Sequence, residues 1–283
     1  MKLVIMGDLH YHDVDPGIPG LLVARNLFYG NLLGRFLQTE GDLHISLGDL
    51  TNTGSATELR EVSEMLRRRN RTFIHVLGNH DLYTRTKREV LEITGQQQYH
   101  MLDAGSSILV FLDTAREMEL SNGGGWLDEE QLEWLEAIVL ASGTKPVIIF
   151  AHHPVHNTTI GSDRVKGSLH PEVPIWNILK QKQGTGIYFN GHAHADSIVT
   201  QQNWTFIQVS ACLDQPAYRV VELEKNRFQM TTIDVTDAGV VTHIPMLKRH
   251  ILYYNSNPDA RGKDADRQID ISLRPNRRLQ KID

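Results

Sequence analysis

The chain has 283 residues, enough for one large α/β domain or two small ones with a substantial core. Hydrophobic residues make up 40% and charged residues 22%, and the net charge of −5 leaves no general basic excess to attract nucleic acid. The single cysteine, Cys212, excludes an internal disulfide, and no apolar run approaches the ~20 residues of a membrane span.

The first apolar run, Leu3 to Met6, is interrupted by Gly7 and Asp8. It is too short for a signal-peptide core, so a cytoplasmic enzyme is the expectation. Residues 2–6, 43–47, 72–77, 107–112, 146–151 and 186–189 read as buried strands: short, rich in Val, Ile, Leu and Phe, and bounded by Gly, Asp or Asn. Between them lie helices. Ser55 can cap one in which Leu59, Val62 and Leu66 share a face. Asp128 can cap another, with Gln131 three residues on and Leu132, Leu135 and Val139 as its buried stripe. A third is predicted over 171–182, with Pro171 in its first turn.

After about residue 195 the texture changes. Residues 197–200, 204–209, 218–223, 228–235 and 240–244 read as consecutive strands, with turns at 224–226 and 237–239. Strand–helix alternation followed by a meander predicts an α/β fold: a four-layer α-β-β-α sandwich of two mixed sheets packed face to face with helices outside. One domain is expected over 1–246. Residues 247–283 read as a C-terminal extension, net +4 from Lys248 onward, either solvated or contacting another copy in a homo-oligomer.

Five polar motifs follow predicted strands: Asp8 and His10; Asp49; Asn79, His80 and Asp81; His152 and His153; His192 and His194. In α/β sheets, ligands gather beyond the carboxyl ends of strands, so the five should converge. Carboxylate, amide oxygen and imidazole suit hard or borderline divalent metals, and no thiolate joins them. Asp8, His10, Asp49, Asn79, His152, His192 and His194 are too many donors for one tetrahedral site and suit two metals sharing a carboxylate. The glycines beside Asp49, Asn79 and His192 allow sharp turns at the strand ends. Taken singly, a D-x-H or H-x-H is more often structural; the ordered set of five is the signal.

That order, D-x-H, G-D, G-N-H-D, H-H-P and G-H-x-H, resembles the calcineurin-like metallophosphoesterase family from Asp8 to His194. GDLTNTGSATEL, VLGNHD, the stretch 123–136 and KPVIIFAHHP resemble the bacterial cyclic nucleotide and glycerophosphodiester phosphodiesterase subgroup. The resemblance implies a first metal at Asp8, His10 and His194, a second at Asn79, His152 and His192, and Asp49 as bridge. It implies His80 over the phosphate, with Asp81 orienting its ring, and a metal-bridging hydroxide as nucleophile. Mn, Fe, Zn and Co all accept such ligands. The sequence has GDLTNTG where protein Ser/Thr phosphatases resemble GDxVDRG, which argues against that branch.

The expected activity is therefore two-metal hydrolysis of a small-molecule phosphate ester, a phosphodiester before a monoester. Nuclease action and a non-catalytic scaffold are the weaker alternatives. No membrane partner is expected. His12, His153 and His156 are pocket-lining candidates better explained as supporting or surface residues. Asn52 could serve the site or start the next helix. Asp13, Asp15 and His44 read as loop or surface residues, and His75 carries no companion pattern. Cys212 reads as buried packing.

Overall fold

The computed structural model describes residues 1–274. In chain order these form β1 (Lys2–Met6), α1 (Leu21–Gln38), β2 (Leu43–Ser46), α2 (Ala56–Arg67), β3 (Phe73–His75), α3 (Lys87–Thr94), β4 (His100–Asp103), β5 (Ile108–Phe111), α4 (Glu129–Ala141), β6 (Val147–Phe150), α5 (Ile175–Leu179), β7 (Gly186–Asn190), β8 (Ser197–Gln201), β9 (Trp204–Gln208), β10 (Ala217–Glu224), β11 (Arg227–Asp234), α6 (Ala238–Val241), α7 (Ile244–His250) and β12 (Gln268–Ser272). One mixed sheet runs β12-β11-β10-β1-β2-β3 and the other β4-β5-β6-β7-β9-β8.

Side-chain alternation along each strand divides the core into layers. Leu3 and Ile5 of β1 meet Phe111, Ile148, Phe150 and Phe189 from the other sheet in one shared cluster. Their neighbours Val4 and Met6 point the other way, onto Phe28, Leu32 and Phe36 of α1 and Val62 and Leu66 of α2. On the far side, Val110, Ile149, Tyr188 and Phe206 pack under Leu135, Ile138 and Val139 of α4 and Ile178 of α5. The order is helix, sheet, sheet, helix, as the sequence predicts.

Ser55 accepts from the Glu58 amide and completes a reciprocal capping box, and Asp128 accepts from the Gln131 amide. Two expectations fail. The predicted helix over 171–182 shrinks to α5. Pro174 disfavours helical backbone at Val173 and supplies no N–H, so the helix starts only after it. The predicted strand over 240–244 is instead the junction of α6 and α7. Val240, Ile244 and Leu247 share a helical spacing and pack on the α1 cluster, and Pro245 sits in the first turn of α7. The stretch from 247, read as an extension, packs onto the domain as far as residue 274, and β12 is the edge strand of the first sheet. Residues 275–283, the end of that predicted extension, lie outside the described residues. Among the described residues no helix is long and apolar enough to cross a membrane.

Candidate metal centre

The seven candidate ligands meet at one end of the two sheets, in the loops that follow β1, β2, β3, β6 and β7. Asp8, His10, Asp49 and His194 form one buried group whose ligand atoms all lie within 4.8 Å of one another. His10 Nε2 lies 3.0 Å from His194 Nε2, and His194 Nε2 lies 3.3 Å from Asp8 Oδ2. Asn79, His152 and His192 form a second group. Asn79 Oδ1 is 3.0 Å from His152 Nε2 and 3.1 Å from His192 Nδ1. Asp49 Oδ2 stands between the groups, 3.8 Å from His10 Nε2 and 3.4 Å from His152 Nε2.

The outer ring atoms explain what the inner ones can do. His10 Nδ1 faces Asn52 Oδ1 at 3.2 Å, His152 Nδ1 the Leu47 carbonyl at 2.9 Å, His192 Nε2 the Lys166 carbonyl at 2.8 Å, and His194 Nδ1 the Asn255 carbonyl at 3.0 Å. Each outer nitrogen faces an acceptor and so carries the proton. The inner nitrogen of the neutral ring is then a bare lone pair aimed at the cluster. Asn79 Nδ2 donates to the Tyr83 hydroxyl at 2.7 Å, which turns its Oδ1 inward too. Asp8 Oδ1 is buried without a hydrogen-bond partner among the described residues. Acceptors thus converge on acceptors, an arrangement that asks for cations.

The electrostatics agree. Burial works to lower every imidazole here, yet at His152 the Asp49 carboxylate outweighs it and lifts the ring to about 9. At His194 burial is again overcome, by Asp214 and Asp8, and the ring is lifted to about 10. Protons drawn onto these two rings stand in for the positive charge the carboxylates need. His192 goes the other way, to about 3, through burial and the neighbouring His152. The donor set therefore fits a metal centre. Asp8, His10, Asp49, Asn79, His152, His192 and His194 are the residues that would hold the metal.

The backbone is bent to achieve this. His10, Asp49, His192 and His194 all have positive φ, between 46° and 70°, a region non-glycine residues rarely adopt. Turning alone does not explain the glycines beside the ligands. A Cβ on Gly78 would stand 2.1 Å from the Asp49 amide nitrogen, and one on Gly191 would stand 2.1 Å from Asp8 Oδ1. These two make room for a carboxylate from the neighbouring loop.

His80 lines the cleft over the centre. Its Nδ1 donates to the Asn52 carbonyl at 2.7 Å, and its ring stands edge-on to His10, centroids 4.5 Å apart. The predicted role of Asp81 needs correction, because Asn52, not Asp81, holds the His80 ring. Asp81 Oδ1 accepts from the Thr51 amide and hydroxyl, both at 2.8 Å, and Oδ2 accepts from the Gly78 amide at 2.9 Å. It splices the loops after β2 and β3. His75, which the sequence left without a role, is buried behind it, with Nε2 3.1 Å from Asp81 Oδ2. His44 is likewise buried, in β2, and is not a surface residue.

Asn52 belongs to the site, with Oδ1 on His10 and Nδ2 donating to the Leu252 carbonyl at 2.8 Å. His153 has both ring nitrogens occupied, by Thr114 Oγ1 and the Gly123 carbonyl, and supports the His152 loop. His12 is buried against the Tyr29 hydroxyl, away from the cleft. His156 bonds the Ser162 carbonyl and Ser168 hydroxyl. Cys212 is buried, and its thiol is pushed up to about 12 by desolvation. The residues that sequence reasoning missed lie far along the chain. Asp214 faces His194 Nδ1 at 3.6 Å and accepts from the Ser256 hydroxyl and the Asn257 amide. The Tyr254 ring packs on His10 and His194, at 4.9 Å from each. No short motif marks them.

Two mixed sheets sandwiched between helices, with carboxylate, amide and imidazole ligands gathered beyond the strand ends, define a metal-dependent phosphoesterase architecture. The chain belongs to the calcineurin-like phosphoesterase family, whose model matches residues 1–196. It is 27% identical over 162 residues to the glycerophosphodiester phosphodiesterase GpdQ of Enterobacter lignolyticus, covering 54% of this chain and 57% of that protein. It is 27% identical over 206 residues to a probable cyclic nucleotide phosphodiesterase of Rhodopseudomonas palustris, covering 69% and 72%. It is 30% identical over 173 residues to a probable glycerophosphodiester phosphodiesterase of Arcobacter nitrofigilis, covering 56% and 60%. The chain thus spans less than two thirds of the two glycerophosphodiester phosphodiesterases. Among solved structures, purple acid phosphatase PPD1 of yellow lupin seeds shares the fold, with a TM-score of 0.54 at 12% identity, over 87% of this chain and 55% of that one.

Proposed function

We propose that this chain is a metal-dependent phosphoric ester hydrolase that holds two metal ions and cleaves phosphodiesters. The observation that carries this is the set of four imidazoles, each pinned by an outer acceptor so that its inner nitrogen is a bare donor beside Asp8, Asp49 and Asn79. When bound, the ions would supply neutralisation of the phosphate charge and a lowered pKa for water. The protein's own part is placement. Asp49 ties the two halves, and its Oδ1 accepts from the His80 amide at 2.8 Å, so the shared carboxylate and His80 move as one unit. With Nδ1 of His80 committed to the Asn52 carbonyl, Nε2 is the atom left to hold or hand over a proton at the departing oxygen. The diester preference rests on the relatives, whose names specify glycerophosphodiesters and cyclic nucleotides.

The test is metal content together with turnover of bis-p-nitrophenyl phosphate against p-nitrophenyl phosphate with Mn²⁺ at neutral pH. Two ions per chain and a faster diester reaction are expected. A monoester preferred at least tenfold in kcat/KM would overturn the diester reading, and one ion per active chain would overturn the pair.

A further inference from the structure

The segment from Leu252 to Asn257 crosses the mouth of the centre as a strap fastened on both sides of Tyr253. On one side, the Leu252 carbonyl accepts from Asn52 Nδ2 at 2.8 Å. On the other, Tyr254 packs on His10 and His194, the Asn255 carbonyl accepts from His194 Nδ1, and the Asn257 amide donates to Asp214 at 2.9 Å. Tyr253 itself is left outward. It has φ of 58°, a left-handed backbone that a tyrosine rarely adopts, and it is 57% exposed. Its fasteners hold it there although neither burial nor an unstrained backbone favours the position.

Tyr253 lines the cleft of about 690 Å³ that also contains Asp49, His80 and His192. Leu120, 49% exposed, and Val165, 92% exposed, line the same cleft. Three large apolar side chains are thus kept in water around a polar centre. An apolar rim beside a phosphate site recognises the part of an ester that is not phosphate.

We propose that Tyr253, with Leu120 and Val165, forms the subsite for a flat, apolar ester substituent, and that Tyr253 sets the preference for such esters over small alkyl ones. This rests on the phosphoesterase reading above. The tyrosine ring supplies a rigid face on which a planar group stacks, and such contacts contribute through area and geometry. Lys166 does not compete for that space, because its Nζ donates to the Ser121 carbonyl at 2.6 Å.

The test uses two phosphonates that differ only in the substituent, as inhibitors of the metal-loaded full chain turning over bis-p-nitrophenyl phosphate. Phenylphosphonate should inhibit wild type more tightly than methylphosphonate, and Tyr253→Ala should weaken phenylphosphonate roughly 3- to 10-fold while leaving methylphosphonate unchanged. Tyr253→Phe should keep the preference. Tyr253→Gly relieves the left-handed backbone, so it should fold at least as well as wild type and still lose the preference. Metal content is measured for every variant. Equal weakening of both phosphonates, or loss of metal, would make Tyr253 a support for the strap and overturn the subsite. Equal inhibition constants in an active wild type would overturn it as well. A wild type that hydrolyses no phosphate ester would instead overturn the underlying functional reading, and the subsite with it.

Discussion

Asp8 and Asp49 are both buried carboxylates at strand ends, yet their surroundings differ. Asp49 Oδ2 faces His10 and His152, one from each half of the centre. Asp8 Oδ2 accepts from the His192 amide at 2.9 Å and faces His194. Asp49→Ala should therefore empty both sites, whereas Asp8→Ala should empty mainly the His10–His194 half. Two cations held close together repel strongly without a shared anion. Metal analysis of the purified variants decides this, and loss of the same single metal in both would contradict the sharing. His80 makes a different kind of contribution. His80→Ala should keep both metals and lose roughly 10²–10⁴-fold in rate, the usual worth of a positioned acid or charge stabiliser. The loss should be larger for an alkyl leaving group than for an activated phenol if Nε2 delivers a proton. An equal loss on both esters would assign it to charge stabilisation.

The strands that carry the ligands were legible because each is a short apolar run ended by Gly, Asp or Asn. The residues that fix the imidazoles were not legible, because three of the four do so through main-chain carbonyls, at Leu47, Lys166 and Asn255. A carbonyl leaves no side-chain signature. α1 escaped notice for a related reason: Gly20 caps it with no side-chain bond, and Leu22, Val23 and Leu27 are exposed, so no clean apolar stripe appears. The run 240–244 was misread because a short apolar run fits either period until its neighbours are known. Glycines test this scale directly. Gly78→Ala places a Cβ against the Asp49 backbone and should cost about 1–3 kcal/mol and drain metal from the centre. Gly30→Ala, in α1 with nothing within 4 Å of the added Cβ, should stabilise by about 0.5–1 kcal/mol and leave metal content alone. Denaturant midpoints with metal assays check both, and a silent Gly78→Ala would contradict the close-approach account.

At the scale of the molecule, the two sheets are joined by more than apolar packing. Asp196 sits in the loop between β7 and β8 of one sheet. Arg219 lies on β10 of the other, and Arg267 just before its edge strand β12. Arg267 Nη1 donates to Asp196 Oδ2 at 2.7 Å, Arg219 donates to Oδ1, and Oδ1 also accepts from the Ser210 amide at 2.8 Å. Arg219 and Asp196 are fully buried, so each charge depends on its partner. Removing one member of such a group leaves an uncompensated buried charge, which costs more than the intact group contributes. Asp196→Ala strands the buried Arg219 guanidinium, while Arg267 keeps its second partner Asp234, and should lower stability by about 3–5 kcal/mol. Asp196→Asn keeps the shape and two acceptor contacts but not the charge, so it should fall between. β12 is the edge strand of the sheet that Arg219 anchors, and the strap leads into it from β11 and α7, so the loss should reach the centre indirectly. Metal affinity should weaken as the folded fraction falls, and saturating metal should recover part of the lost midpoint by binding only the folded state. Urea unfolding of wild type and both variants, with Mn²⁺ and with chelator, separates the terms. A destabilisation below about 1 kcal/mol in Asp196→Ala would mean that Arg219 finds another partner and that apolar packing alone holds the sheets together.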